Sequence, residues 1–306
     1  MCRYYRSPVN LRLGLRYDLR GRAQPERLYP ALLEHTARAE AAGIDSLWIS
    51  ERPFARAAVV PAALPLLAAV AARTTQIRVG SALLPLPLYH PLRLAEDAAT
   101  LDGLCGGRLE LGLGLGEHAE GFHGFGVPVT GRLERFEESL RVLHQAWGEG
   151  PVQFEGQYYQ LAGPEVFPKP VQPHGPPLWI GASADSGVRL AARLADGFVA
   201  STCRAAERFL QVRGEAGRDP GAARVALEVG GAAHPDPAQA LAALAAESAT
   251  LGGTLGELHL LVPVLDPLSG SAPGLGLAPE ALERLLERVW RPFCERQEGA
   301  SRPVTD

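Results

Sequence analysis

The chain has 306 residues, 46% of them hydrophobic, enough for one large buried core. Its formal net charge of −4 offers no basic surface for nucleic acid or an anionic membrane, so the expected partner is a small-molecule substrate. Four scattered cysteines, Cys2, Cys105, Cys203 and Cys294, form no C-x-x-C pair and have no histidine at ligand spacing, which argues against a disulfide framework and against a bound metal. No apolar segment follows the basic residues of MCRYYRSPVN and no run is long enough to span a bilayer, so a cytoplasmic location is expected.

In chain order, a strand is predicted at 11–17, a helix at 26–42, a strand at 46–50, a helix at 61–73, a strand at 76–83 and a helix at 92–104. A strand at 108–113 and a helix at 132–147 follow. Further strands are predicted at 178–181, 198–201, 225–229 and 258–262, alternating with helices at 186–194, 205–216, 237–251 and 279–296. About eight β/α units in this length predict an α/β fold, a (β/α)8 TIM barrel forming a single domain over 1–306. A doubly wound sheet would leave much of the chain unexplained. Residues 150–177 break the pattern with a hairpin-like alternation around Gly156 and then a crowd of prolines, which reads as an insertion lying over one barrel face. The tail after Glu298 reads as disordered.

The strand at 108–113 runs into glycines at every second position, Gly112, Gly114 and Gly116. That leaves one face without side chains, where a planar ring could lie against bare backbone. In a TIM barrel, chemistry is expected just after each strand. Those positions hold Tyr17, Asp18, Glu51, Arg52, Glu117, His118, Ser183, Asp185, Thr202 and Arg204; any one of them taken alone reads as a solvated loop residue or helix cap. In WIGASADSGVRL a strand ends at Gly181 and small residues lead into a helix, a turn that suits a phosphate, unless Ser183 or Asp185 caps the helix instead. Leu47 and Ile49 are expected to fill the barrel, Trp48, Trp147, Trp179 and Trp290 to pack, and Asp102 to pair with Arg108. A Schiff-base aldolase is excluded because Lys169, in the proline-rich segment, is the chain's single lysine. A metal-dependent hydrolase lacks its His-x-His.

Jointly, ARAEAAGIDSLWISER, TTQIRVGSALLPLPLYHPLRLAEDAATLD, GGRLELGLGLGE, FEGQYYQL, PVQPHGPPLWIGAS and LAARLADGF resemble the bacterial luciferase-like monooxygenase family, over most of the chain. The resemblance implies a TIM barrel that binds FMN or the deazaflavin coenzyme F420 at the barrel mouth. Gly181, Ala182, Ser183 and Ala184 match the family's phosphate-binding turn. Ala82 and Leu83 match the place of a non-prolyl cis peptide behind the ring, and Gly114, Leu115 and Gly116 the strand end beside it. Glu51 matches a glutamate that relatives follow with histidine, whereas Arg52 follows here. Leu115 replaces the arginine with which luciferase meets the flavin phosphate. Glu117 looks like the site acid of the deazaflavin-dependent sugar phosphate dehydrogenases, and Arg204 stands near their phosphate-binding cation. Expected catalytic residues are Glu51, Glu117 and His118. FMN, as the more widespread cofactor, is taken first, for a monooxygenase using O2 on a small organic substrate. That reading brings a flavin reductase as supplier of reduced FMN; a homodimer is expected with either cofactor. A coenzyme F420-dependent hydride-transfer enzyme is the alternative, and a non-catalytic flavin-binding relative a third. A monooxygenase would want a dry pocket, for which Leu83, Leu84, Leu86, Phe54 and Leu113 are the apolar candidates.

Overall fold

A computed structural model describes residues 10–19, 24–55, 60–228, 255–264 and 286–287. Eight parallel strands close a barrel: β1 (Asn10–Tyr17), β2 (Ser46–Ile49), β3 (Arg78–Ser81), β5 (Leu109–Gly114), β8 (Leu178–Gly181), β9 (Gly197–Ala200), β10 (Arg224–Glu228) and β11 (Glu257–Val264). Their order is β3-β2-β1-β11-β10-β9-β8-β5, and pairing of β3 with β5 completes the ring. A two-residue strand, β4 (Leu84–Pro85), extends the β5 edge. Around the barrel lie α1 (Pro25–Ala41), α2 (Ala63–Ala71), α3 (Pro91–Leu104), α4 (Ala119–Gly124), α5 (Arg132–Trp147), α6 (Asp185–Leu194) and α7 (Cys203–Glu215). This is the (β/α)8 barrel expected from the sequence. The short α4 was missed because AEGFHG, with two glycines, carries no helical period. The helices predicted at 237–251 and 279–296, the tail after 298 and Trp290 lie outside the described residues, apart from 286–287. Among the described residues no helix is long and apolar enough to cross a membrane, and no cluster of side chains could hold a metal ion.

The inward face of the strands corrects one expectation. Leu47 and Ile49 point outward and join the layer between strands and helices, whereas Trp48 lies inside the barrel with Trp179, Val199, Ala226 and Leu261. A strand buried on both faces is apolar at every position, so its alternation carries no phase and either parity reads equally well. Small residues supply the phase. A Cβ at Gly80 would lie 2.7 Å from the Trp48 ring, and one at Gly197 2.3 Å from the Trp179 ring. The two indoles meet edge to face at 5.3 Å and fill the interior that these glycines leave open.

Beneath them, at the strand starts, lies a floor of paired charges. Glu257 meets Arg12 at 3.2 Å and Arg224 at 3.3 Å, Arg78 pairs with Glu110, and the Trp179 indole donates to Glu110 at 2.6 Å. Arg108 does not pair with Asp102. Its guanidinium donates instead to the carbonyls of Cys105, Ile77, Ala71 and Thr74 and to the Thr74 hydroxyl, while Asp102 accepts from the backbone and side chain of Gln172. Five donors in a fixed fork suit a cluster of carbonyls better than one carboxylate.

The insertion forms an antiparallel hairpin, β6 (Gln153–Glu155) with β7 (Gln160–Ala162). Its tip is held against α5, where the Glu138 carboxylate accepts from the amides of Gln157, Tyr158 and Tyr159 at 2.7, 2.9 and 3.2 Å. The proline-rich limb then reaches the starts of β3 and β5 through Gln172, which bonds Arg78 and the Leu109 carbonyl. The segment therefore runs from the hairpin, where Tyr159 meets His90 edge to face, to the strand starts.

Candidate active site

At the end of β3 the Ala82–Leu83 peptide is cis and non-prolyl, at the position the sequence resemblance marked. The Ala82 carbonyl accepts from the Ser50 hydroxyl at 2.8 Å and from Arg16 Nε at 3.2 Å, and Arg16 in turn pairs with Glu228 at the end of β10. Leu83 then lies on the glycines. A Cβ at Gly114 or Gly181 would approach the Leu83 side chain to 3.1 or 2.3 Å, whereas one at Gly112 would strike the Ser81 carbonyl oxygen at 1.9 Å before meeting Leu83 at 3.2 Å. The bare strand face expected to receive a ring is thus filled by Leu83, and the glycines form its bed. Gly116 has a left-handed backbone (φ 78°), and its carbonyl accepts from Arg132 at 3.0 Å.

The turn Gly181, Ala182, Ser183, Ala184 leads into α6 as expected. Neither Ser183 nor Asp185 caps that helix: its N-cap, Ala184, has no side-chain partner, so the first-turn amides are left for water or a ligand. Asp185 is turned to Arg189 at 2.7 Å and Arg208 at 2.9 Å, and the two guanidiniums hold its pKa below the ordinary value. Within the first turn of α6, a Cβ at Gly187 would meet Ala182 at 2.6 Å and Leu115 at 3.7 Å, so the β5 and β8 ends converge here. Arg204, in the first turn of α7, is exposed and has no side-chain partner among the described residues. Thr202 caps α7 through the Ala205 amide.

Three candidate acid–base groups have unlike surroundings. Glu51 is buried; its carboxylate accepts from the Ala63 amide at 2.7 Å and from the Tyr89 hydroxyl at 2.7 and 2.8 Å. Burial raises its pKa against the pull of those two donors. By satisfying the start of α2, whose Ala62 cannot cap, Glu51 does structural work. Glu117 is exposed and makes no side-chain hydrogen bond or ion pair among the described residues. His118 accepts at Nε2 from Arg52, whose remaining nitrogens grip the buried Asp18 at 3.0 and 3.1 Å. Of the apolar candidates, Leu84, Leu86 and Leu113 are fully buried in the layer between strands and helices, while Phe54 is exposed and packs edge to face on Phe125 at 5.0 Å.

Arg16, Ser50, Tyr89 and Arg132 were not among the sequence candidates. Arg16 and Ser50 share the inward parity of Trp48 and could have been found once that parity was known. Tyr89 and Arg132 act across loops, for which the sequence carries no local signal.

A model of the luciferase-like monooxygenase family matches residues 16–275. An F420-dependent glucose-6-phosphate dehydrogenase of Nakamurella multipartita is 36% identical over 221 residues, covering 70% of this chain and 62% of that protein. The chain thus spans about three fifths of the length of the curated relatives it matches. Among solved structures, a monooxygenase from Streptomyces bottropensis superposes with a TM-score of 0.76 at 18% identity, over 92% of this chain and 99% of that one, which speaks to the fold alone. An F420-dependent secondary alcohol dehydrogenase, solved with an F420-acetone adduct, gives 0.64 at 25% identity over 78% of this chain and 74% of that one.

Proposed function

Because the chain belongs to the luciferase-like monooxygenase family, we propose that it is a coenzyme F420-dependent oxidoreductase acting on a small organic substrate. This reverses the order in which sequence alone ranked the two cofactors. The observation carrying it is the run of F420-dependent glucose-6-phosphate dehydrogenases, 31 to 36% identical, among the curated relatives. Leu115 and Glu117 agree with it, the first by offering no cation to an FMN phosphate and the second by standing as an open acid at the end of β5. When bound, the deazaflavin would supply a hydride acceptor or donor and needs no oxygen chemistry.

The residues present fit such a group. The uncapped start of α6, with Gly181, Ala182, Ser183 and Ala184, offers backbone donors and small side chains to a phosphate. Ala82 and Leu83, steadied by Ser50, Arg16 and the glycine bed that includes Gly114, would give the ring an apolar support. Gly116, Leu115 and Arg204 would border the cofactor and substrate. Glu117 is the acid free to exchange a proton with substrate, whereas Glu51 is committed to α2 and Tyr89. A phosphorylated sugar is the first substrate class to try, with Arg204 as its cation.

Titrating the purified protein separately with coenzyme F420 and with FMN, followed by absorbance and fluorescence, tests the reading. Saturable binding of F420 with weak FMN binding is expected. The opposite preference, together with O2 uptake in the presence of reduced FMN, would return the protein to the monooxygenases, and a flavin reductase partner belongs to that outcome only.

A further inference from the structure

Asp18, Arg52 and His118 come from the ends of β1, β2 and β5 and form one chain of contacts across the barrel mouth. Asp18 is 4% exposed and takes two nearly parallel bonds from Arg52 Nε and Nη2, which fixes the plane of the guanidinium. Nη1 is left for His118 Nε2. A guanidinium only donates, so Nε2 must accept, and the ring's proton is on Nδ1. His118 is also the N-cap of α4, but its side chain makes no capping bond. Nδ1 makes no hydrogen bond among the described residues and the side chain is exposed, so the Nδ1–H donor is open to a ligand.

We propose that Arg52, fixed by Asp18, is a positioning residue that holds His118 as the Nδ1–H tautomer, so that one ring N–H is offered to a ligand at the barrel mouth. Arg52, the residue that departs from the family's Glu-His wording, thereby orients a histidine contributed by a different strand end. The ring touches Arg52, which Asp18 holds from behind, and its own segment carries the exposed Glu117 and Glu120. Only the activity arm of the test rests on the coenzyme F420 reading.

Long-range 1H–15N correlation on the cofactor-free protein, at alkaline pH where imidazoles are neutral, reads the tautomer directly, with the signal assigned by His118→Gln. A pyrrole-type Nδ1 and pyridine-type Nε2 are expected in the unmodified chain, and this measurement decides whether or not any Arg52 variant folds. In Arg52→Lys, which keeps the charge beside Asp18 but loses the fork, the ring should move toward the Nε2–H form. In the F420-loaded enzyme, Arg52→Lys and His118→Gln should each lower kcat by about 10²-fold, and the double variant little further. An Nε2–H ring in the unmodified chain would overturn the proposal, as would Arg52→Lys with tautomer and kcat unchanged. Failure to bind F420 with the Nδ1–H tautomer observed would overturn the cofactor reading and leave the tautomer assignment standing.

Discussion

Glu51 and Glu117, after β2 and β5 with β3 between them, stand in unlike surroundings. Glu51 has traded solvent for the Ala63 amide and the Tyr89 hydroxyl, so Glu51→Gln puts an amide N–H2 where an acceptor is needed. That should cost about 1–3 kcal/mol of stability, seen as a lowered Tm, with turnover changed little. Glu117 makes no such bonds among the described residues. Glu117→Gln should leave Tm and cofactor affinity in place and lower turnover about 10²- to 10⁴-fold in stopped-flow measurements of hydride transfer. If Glu51→Gln instead abolishes turnover in a folded protein, the two roles are exchanged.

At the scale of elements, the β3–β5–β8 edge and the start of α6 are the parts proposed to hold the cofactor. A methyl at Gly114 would stand 3.1 Å from Leu83 Cδ1, tight enough to move that side chain. Gly114→Ala should therefore weaken cofactor binding by displacing Leu83, with a thermal melt close to that of the parent; equal affinity would mean that Leu83 does not support the ring. Ser183 is exposed at the uncapped start of α6, so Ser183→Glu should abolish binding by repelling a phosphate while the far-UV spectrum is unchanged. Unaltered affinity by fluorescence titration would remove the phosphate from this turn. Both features, alternate glycines at a strand end and a strand-to-helix turn of small residues, were legible in the sequence as local structure. Illegible was what fills the glycine face. Leu83 reaches it from the link between β3 and β4, a contact fixed by closure of the barrel and not by any local period. The parity of Trp48 and Leu47 was hidden for a related reason, since both faces of β2 are buried.

At the scale of the whole molecule, two buried groups outside the mouth, Glu257 and His35, couple stability to pH in the same direction. Burial acts to raise the Glu257 pKa, but His259, Arg224 and Arg12 outweigh it and hold the carboxyl at about 2, against 4.5 ordinarily. The unfolded chain therefore binds this proton first. The stability it contributes is fully present above pH 4.5 and lost as pH falls toward 2. His35, buried in α1 with Nδ1 against the Tyr17 hydroxyl at 2.8 Å, is lowered from 6.5 to about 4 by burial and, secondarily, by Arg38. Here too the unfolded chain takes the proton first, so stability falls as pH drops from 6.5 to 4. Each group should account for roughly 3 kcal/mol across its window. Urea denaturation at pH 7, 5 and 3 should give midpoints that fall in two stages. His35→Gln, which keeps a polar partner for Tyr17 but cannot titrate, should flatten the stage between pH 6.5 and 4 and leave the lower one. If the variant keeps the parent's slope between pH 7 and 5, His35 is not the group responsible, and the upper stage must come from another histidine.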